Sequence, residues 1–203
     1  MTTCSDNRKT IVVYGGSFDP IHIGHAALAG IVSRLPGVDG VKILVSPANP
    51  LKAGERDASE SDRLEMARLV AANLPNVEAS DFEFSLPRPS FTINTLEALR
   101  NANPDTDFRL LIGADNWQLF SRWRDAERII SEFGVIIYPR PGYEIKSDET
   151  LPENVTVLKN IPTFEISSTY IRDEISRGHD VTYLVTPEVA RYINERKLYR
   201  FPG

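Results

Sequence analysis

Short apolar runs alternate along the chain with longer stretches in which apolar residues recur every three or four positions. The runs are typical of buried parallel strands and the stretches of amphipathic helices, so the alternation indicates successive βαβ units. Because the crossover between two parallel strands is right-handed in nearly all proteins, the pattern predicts an α/β fold with a doubly wound parallel sheet. The strands are predicted at 10–14, 41–45, 77–80, 108–112, 135–138 and 155–158.

The helical stretches begin at recognisable start signals. Ser59 precedes Asp62 by three residues, a variant of the capping box, and Thr186 is followed by Pro187, which suits the first position of a helix. The polar segment 139–154 contains many turn-forming residues, which indicates a surface loop. Helices are predicted at 59–74, 91–101 and 123–132, and another begins at 187.

Length, composition and charge mainly exclude other classes of protein and of binding partner. With 203 residues, 41% of them hydrophobic and 25% charged, the chain has the size and composition of one globular domain. We expect a single domain over 1–203, with the sheet at about 10–165 and a small helical part at about 166–203. The net charge of −5 argues against broad binding to nucleic acid or to anionic membranes.

Cysteine and apolar content favour a cytoplasmic protein without a structural metal. Cys4 is the only cysteine, so no intramolecular disulfide can form, and one cysteine with three histidines does not make a zinc site. The N-terminus lacks the apolar core of a signal peptide, and no apolar run approaches the roughly 18 residues that a membrane-spanning helix requires. We therefore expect a cytoplasmic location, no membrane and no nucleic-acid partner, and a metal only if a substrate brings it.

The segment 15–25, GGSFDPIHIGH, follows the first predicted strand and begins the first helix. A glycine-rich turn at a helix N-terminus binds phosphate, because glycines let the backbone approach and free amides face the anion. His22 and His25 are three residues apart at this helix start, so both side chains can point at the same phosphate. The third histidine, His179, is better explained as a residue that a helix C-terminus favours.

A second segment, ISSTYIR at 166–172, lies at the start of another predicted helix. Ser167 or Ser168 could cap the helix, and Arg172 falls one turn beyond Ser168 on the same side. Hydroxyl, free amides and guanidinium could then bind one polyphosphate. A serine cap followed by an arginine is common and usually structural, so this segment gains its meaning only together with the first.

The two segments together resemble the signature of the nucleotidyltransferase superfamily, whose members carry (H/T)xGH after the first strand and ISSTxIR later in the chain. The resemblance implies a Rossmann-like fold and transfer of a nucleotidyl group from a nucleoside triphosphate, usually ATP, with release of pyrophosphate. By position, His22 and His25 would stabilise the phosphate under attack, and Arg172 would join them as a catalytic residue on the β- and γ-phosphates. The implied ATP-binding residues are Gly15, Gly16, Ser17, Phe18, Gly24, Asp115, Ser167 and Ser168.

Three further segments resemble the nicotinate-nucleotide adenylyltransferase family, and the similarity runs from residue 10 to about residue 199. They are SPANPLK at 46–52, DFEFSLPRPSFTINTL at 81–96 and IGADNWQLFSRW at 112–123. The resemblance implies that ATP and nicotinate mononucleotide are joined to give deamido-NAD, a step of NAD biosynthesis, with Mg²⁺ arriving on ATP. It assigns substrate binding to Lys52, Ser90, Phe91, Thr92 and Trp117.

These assignments are chemically reasonable. An electron-poor pyridinium should stack on an indole, which suits Trp117, whereas Trp123 is expected in the core. Asp115 follows the strand 108–112, where doubly wound sheets bind ligands, and its carboxylate could accept hydrogen bonds from a ribose or cap the next helix. Phe91 stands where the family more usually has tyrosine.

The implied reaction is attack by the 5′-phosphate of nicotinate mononucleotide on the α-phosphorus of ATP, for which a dianionic nucleophile needs no general base. Within the superfamily, phosphopantetheine adenylyltransferase and nicotinamide-mononucleotide adenylyltransferase are the alternatives. A class I aminoacyl-tRNA synthetase shares the letters HIGH, but 203 residues leave no room for a tRNA-binding apparatus. A nucleotide sensor without activity is the alternative outside enzymes, and the oligomeric state stays open.

Overall fold

Six parallel strands form the central sheet of the computed structural model, which describes residues 8–47, 58–145 and 150–200. Their order across the sheet is β3-β2-β1-β4-β5-β6, which is the order of a doubly wound sheet. The predicted Rossmann-like α/β fold is confirmed. The strands are β1 (Lys9–Gly16), β2 (Gly40–Val45), β3 (Val77–Ser80), β4 (Thr106–Gly113), β5 (Val135–Tyr138) and β6 (Val155–Val157).

The helices begin largely where the sequence signals predict. The Ser59 hydroxyl accepts a hydrogen bond from the Asp62 amide, 3.1 Å away, and Thr186 caps the last helix with Pro187 in its first turn. One start is wrong: the helix predicted from 123 begins at 126, because Asp125 has a left-handed φ of 52°. The helices are α1 (Ile23–Val32), α2 (Glu60–Ala71), α3 (Thr92–Ala102), α4 (Ala114–Trp117), α5 (Ala126–Glu132), α6 (Ser168–Ser176) and α7 (Pro187–Arg196), with 3₁₀ turns at Phe82–Ser85 and Phe120–Arg122.

Alternate residues of the strands face two hydrophobic layers. Val12 packs into a cluster formed with α1, α2, α6 and α7, whereas its neighbour Val13 packs into a cluster formed with α3, α4 and α5. Both valines are almost completely buried, as the period of two along a strand requires. Helices therefore cover both faces of the sheet, and only its edges are left for binding.

The C-terminal helices are joined to the sheet-bearing part by polar contacts as well as by packing. The buried carboxylate of Asp62, in α2, accepts hydrogen bonds from the Tyr192 hydroxyl at 2.9 Å and from Arg196 Nε at 3.2 Å. Hydrogen bonds and a charge partner of this kind offset the cost of burying a carboxylate. The end of the chain is thus fixed against the same face of the sheet that carries α1.

A crevice opens where the strand order reverses. Strand β1 pairs with β2 on one side and with β4 on the other, and their carboxyl ends lie at the same edge of the sheet. Crossovers leave this point in opposite directions, which is where doubly wound sheets bind ligands. The described part of 139–154 contributes only an isolated bridge between Arg140 and Tyr143. No helix in the described residues is long and apolar enough to cross a membrane.

Candidate active site

His22 and His25 stack on each other at the start of α1, as their spacing predicts. Their ring centroids are 3.6 Å apart and the ring planes differ by 22°. His22 is the N-cap of the helix and is buried, while His25 is partly exposed. Gly24 makes this possible, because a Cβ there would lie 3.2 Å from the His22 ring and 3.1 Å from Cβ of Phe164.

Both imidazoles are neutral near pH 7. Burial, aided by the Arg140 charge, lowers the pKa of His22 to about 4. Burial also lowers the pKa of His25 well below its usual value, and His22 and Arg140 add to this effect. The pair therefore presents N–H donors without carrying a fixed charge.

The hydrogen bonds of the pair decide where its protons lie. The backbone N–H of His22 donates to Nδ1 of His25 at 3.3 Å, so the neutral His25 ring carries its proton on Nε2. The His22 side chain in turn faces the backbone amide of His25, so the two residues form a capping box at the start of α1. This arrangement fixes the orientation of both rings.

Helix α6 contacts the loop between β1 and α1. Ser168 donates its hydroxyl to the carbonyl of Pro20 at 2.9 Å, although the two residues are 148 positions apart in the sequence. Arg172 donates from Nη1 to the carbonyl of Asp19 at 2.7 Å. Because this loop ends at His22, the structure brings the guanidinium and the two imidazoles to one edge of the sheet.

The remaining residues of the two predicted phosphate motifs have distinct positions. Ser167 caps α6 by accepting from the amide of Tyr170 at 3.1 Å. Gly15 and Ser17 are exposed at the mouth of the crevice, and Phe18 is buried beneath Gly16. One of the amides expected to be free at the start of α1 is not, because Ile23 N–H donates to the carbonyl of Leu184 at 3.0 Å.

Beside the histidines, a cavity of about 240 Å³ lies between the carboxyl ends of β1 and β4. Thr92, Trp123 and Tyr138 line it, together with the buried carboxylate of Glu83, which accepts a hydrogen bond from Thr95 at 2.8 Å. Burial is the main cause that raises the pKa of Tyr138, so its phenol stays protonated. The cavity is therefore mostly apolar, with three aromatic residues and one acidic group in its wall.

The two tryptophans occupy different positions relative to this cavity. Trp123, expected only in the core, packs on the core and also lines this cavity. Trp117 is half-buried at the end of α4 and stacks on Phe120, with ring centroids 5.3 Å apart, and it is not among the described residues that line the cavity. Phe91 is the N-cap of α3, and the guanidinium of Arg124 lies 4.8 Å from its ring centroid.

Asp115 lies in the first turn of α4, at the end of β4. The N-cap of that helix is Gly113, so the alternative that Asp115 caps the helix is wrong. Its Oδ2 forms an ion pair with Arg140 Nη1 at 3.1 Å, and its Oδ1 is buried without a hydrogen-bond partner among the described residues. This oxygen is packed against the backbone of Gly113 and does not face solvent.

One of the predicted substrate residues, Lys52, lies outside the part of the chain that the structure describes, and another, Ser90, lies next to a helix. Cys4 also lies outside the described residues. Ser90 is half-buried and precedes the N-cap of α3.

The comparisons with known proteins agree with this site. A family model described as cytidylyltransferase-like matches residues 13–174. A protein of Bacteroides thetaiotaomicron, named "probable nicotinate-nucleotide adenylyltransferase", is 45% identical over 195 residues, which is 96% of each chain. A protein of the same name from Porphyromonas gingivalis is 41% identical over 177 residues, covering 87% of this chain and 89% of the other. The chain belongs to the nicotinate-nucleotide adenylyltransferase family.

A solved structure supports the fold assignment. Plasmodium falciparum nicotinic acid mononucleotide adenylyltransferase, complexed with NaAD, has a TM-score of 0.77 and 21% identity, covering 94% of this chain and 97% of the other. The resemblance to the nicotinate-nucleotide adenylyltransferase family, inferred from sequence motifs, is confirmed, and the protein is a nucleotidyltransferase of NAD biosynthesis.

Two arginines of this nicotinate-nucleotide adenylyltransferase site were not predicted from the sequence. Arg140 lines the small cavity that His22 and His25 face. Arg63 is buried and donates from Nη1 to the carbonyls of Ser17 and Ser46, at 2.6 and 2.7 Å, thereby joining the loops that follow β1 and β2. Arg63 could have been noticed in the sequence, because it is an arginine on an otherwise apolar face of a helix. Arg140 could not, because it begins a loop that matches no motif.

Proposed function

We propose that this chain joins ATP and nicotinate mononucleotide in the crevice between β1 and β4, releasing pyrophosphate and forming deamido-NAD. The observation that carries the proposal is that Arg172 contacts the loop that ends at the His22–His25 pair, next to a cavity with aromatic walls. Names of similar proteins supply the acceptor. The chain itself supplies the polyphosphate-binding groups.

In the proposed reaction, an oxygen of the 5′-phosphate forms a bond to the α-phosphorus of ATP. The bond from that phosphorus to the oxygen that bridges it to the β-phosphorus breaks, and pyrophosphate leaves with the electron pair. Catalysis then depends on positioning and on stabilising the charge that accumulates on phosphate oxygens. Mg²⁺ is proposed to enter on the triphosphate of ATP, because this ion prefers phosphate oxygens and keeps several waters.

The histidines would act as hydrogen-bond donors that are neutral before the substrates bind. Their lowered pKa values mean that the empty site holds no imidazolium, and an arriving phosphate would favour the protonated form by its own charge. Stabilisation would therefore increase as negative charge accumulates on the α-phosphate. Arg172 would bind the β- and γ-phosphates, where the leaving group gains its charge.

The aromatic cavity would hold the pyridinium ring of the acceptor. Trp123 offers an indole face, and the carboxylate of Glu83 supplies a negative charge to the same cavity. Asp115, at the end of β4, is proposed to accept hydrogen bonds from a ribose.

The decisive experiment is pyrophosphate release from MgATP with three acceptors in parallel: nicotinate mononucleotide, nicotinamide mononucleotide and phosphopantetheine. We expect the highest kcat/KM with nicotinate mononucleotide. Higher kcat/KM with either other acceptor would replace the proposed substrate, and ATP binding without release of pyrophosphate would indicate a sensor.

A further inference from the structure

One carboxylate connects the loop between β1 and α1, residues 17–22, to three distant parts of the chain. This loop is called the phosphate loop below. Asp19, which precedes His22 by three residues, is 6% exposed. Its Oδ1 accepts hydrogen bonds from the backbone N–H of Ala58 at 3.1 Å and from the hydroxyl of Tyr199 at 2.6 Å. Its Oδ2 lies 4.0 Å from Nη1 of Arg172. The start of α2, helix α6 and the segment after α7 therefore meet at Asp19.

The surrounding structure holds Tyr199 in the position from which it donates its hydroxyl to Asp19. The residue is 5% exposed and follows the end of α7, where the backbone at Lys197 and again at Tyr199 takes a left-handed φ, 53° and 63°. Residues other than glycine seldom adopt this conformation, so the surrounding structure must stabilise it. Burial and the neighbouring Asp19 raise the pKa of the phenol, which keeps it a hydrogen-bond donor.

The hydrogen bond from Tyr199 affects how strongly Arg172 pairs with Asp19 and how much of its charge is left for a bound polyphosphate. The guanidinium of Arg172 donates to the backbone carbonyl of Asp19 at 2.7 Å, while the nearest carboxylate oxygen stays at 4.0 Å. Among the described residues, the amide of Ala58 and the phenol of Tyr199 donate to Oδ1, which helps to hold the carboxylate in this orientation. Without the phenol, the carboxylate can turn and pair more closely with the guanidinium, which withdraws charge from a bound polyphosphate.

We propose that Tyr199 is a positioning residue for ATP. Its phenol fixes the carboxylate of Asp19 and so aims the guanidinium of Arg172, and the loop that leads to His22, at the polyphosphate. The identity of the nucleotides rests on the proposed function, whereas the contacts of Tyr199 do not.

The chain contains a matched control. Tyr192 also lies in the C-terminal segment and also donates its hydroxyl to a buried carboxylate, that of Asp62, at 2.9 Å. Among the described residues, Asp62 of α2 forms hydrogen bonds with Ser59, Tyr192 and Arg196, none of which belongs to the loop between β1 and α1. Tyr199→Phe and Tyr192→Phe thus remove the same group from the same kind of bond, and only the first acts on the loop.

The test compares these two variants with the wild type in steady-state kinetics, varying MgATP and nicotinate mononucleotide separately. Loss of one hydrogen bond to a charged group corresponds to roughly a tenfold effect, so we expect Tyr199→Phe to raise KM for ATP about tenfold. KM for nicotinate mononucleotide should stay within about twofold of the wild type for both variants. Melting temperatures should fall by similar amounts, since both variants lose a buried hydrogen bond.

Binding of inorganic pyrophosphate, measured by calorimetry, separates this proposal from the proposed function. We expect Tyr199→Phe to weaken pyrophosphate binding about tenfold and Tyr192→Phe to leave it unchanged. If the wild type makes no deamido-NAD but pyrophosphate binding still responds in this way, the acceptor is wrong and the role of Tyr199 stands.

Equal effects of the two variants on ATP and pyrophosphate would show that Tyr199 is only structural and would overturn the proposal. If Tyr199→Phe does not fold, Asp19→Asn replaces it, because the amide has the same shape but removes the charge that faces Arg172. Pyrophosphate affinity within about twofold of the wild type in Asp19→Asn would also contradict the proposal.

Discussion

The crevice has two halves that are built in different ways. The phosphate half consists of the loop 15–22, His25 and the start of α6, so two short segments supply nearly all its groups. The acceptor half is the cavity beside it, whose lining comes one residue or a few at a time from separate strands, helices and turns. Phosphate can be bound by amides and side chains of a single turn, whereas a flat ring needs walls from several directions.

The two halves also differ in how they hold charge. The phosphate half keeps its imidazoles neutral by burial and fixes Arg172 on a backbone carbonyl. In the acceptor half, acidic Glu83 lines the cavity with Trp123 and Tyr138, whereas the Asp115–Arg140 ion pair lies between the two halves. A polyanion and a cationic ring can therefore be bound side by side, each next to groups of complementary charge.

Removing an imidazole should affect the phosphate half most strongly. We expect His22→Ala or His25→Ala to lower kcat by about 10²- to 10⁴-fold with a much smaller change in KM for ATP, because the donors act mainly on transition-state charge. His179→Ala is the control, since this histidine contacts Glu174 at 2.9 Å beyond the end of α6. Equal losses in kcat and ATP affinity would contradict a transition-state role.

The buried imidazoles should make the stability of the empty enzyme depend on pH. The folded-state pKa of His22, about 4, is below its unfolded value near 6.5, so the unfolded chain binds more protons and stability is lost as pH falls between these values. We expect the free energy of unfolding of the wild type, relative to His22→Asn, to fall by about 3 kcal/mol from pH 7 to pH 4. Urea unfolding of both proteins across this range measures the difference, and parallel pH curves would disprove the burial effect.

In the acceptor half, we expect replacement of the two tryptophans to have different effects on KM for nicotinate mononucleotide. We expect Trp123→Ala to raise KM for nicotinate mononucleotide by roughly 10- to 30-fold, since it removes an aromatic wall of the cavity. Trp117→Ala should change this KM by less than about threefold, because Trp117, unlike Trp123, is not among the described residues that line the cavity. A larger rise of this KM in Trp117→Ala than in Trp123→Ala would instead support the sequence-based assignment of Trp117.

The same contrast explains what could be predicted from the sequence. The six strands were located within two residues of their observed ends, because buried parallel strands are continuous apolar runs. The histidine pair, Ser168 and Arg172 could be found because their groups lie in two contiguous segments. Helix α4 and the 3₁₀ turns, at most four residues long, are too short to show a helical period.

The acceptor half was predicted less well for a physical reason. Trp117 and Trp123 both follow β4, and periodicity does not tell which indole turns towards the sheet edge once short turns intervene. The ion pair of Asp115 with Arg140 joins residues 25 positions apart, across the ends of two neighbouring strands. Such a pairing depends on strand order, which the sequence pattern alone does not specify.

Arg140 lies between the halves, and replacing it should have only a moderate effect on activity. It pairs with Asp115, and its charge helps to lower the pKa of both histidines, although burial is the larger cause. We expect Arg140→Gln to lower kcat/KM for ATP by about three- to tenfold and to raise the pKa of His22 while leaving it below 6.5. NMR titration of the imidazole signals measures that shift. Arg124→Gln is the control, since Arg124 lies over the Phe91 ring. An unchanged His22 pKa in Arg140→Gln would mean that the two halves are electrostatically independent.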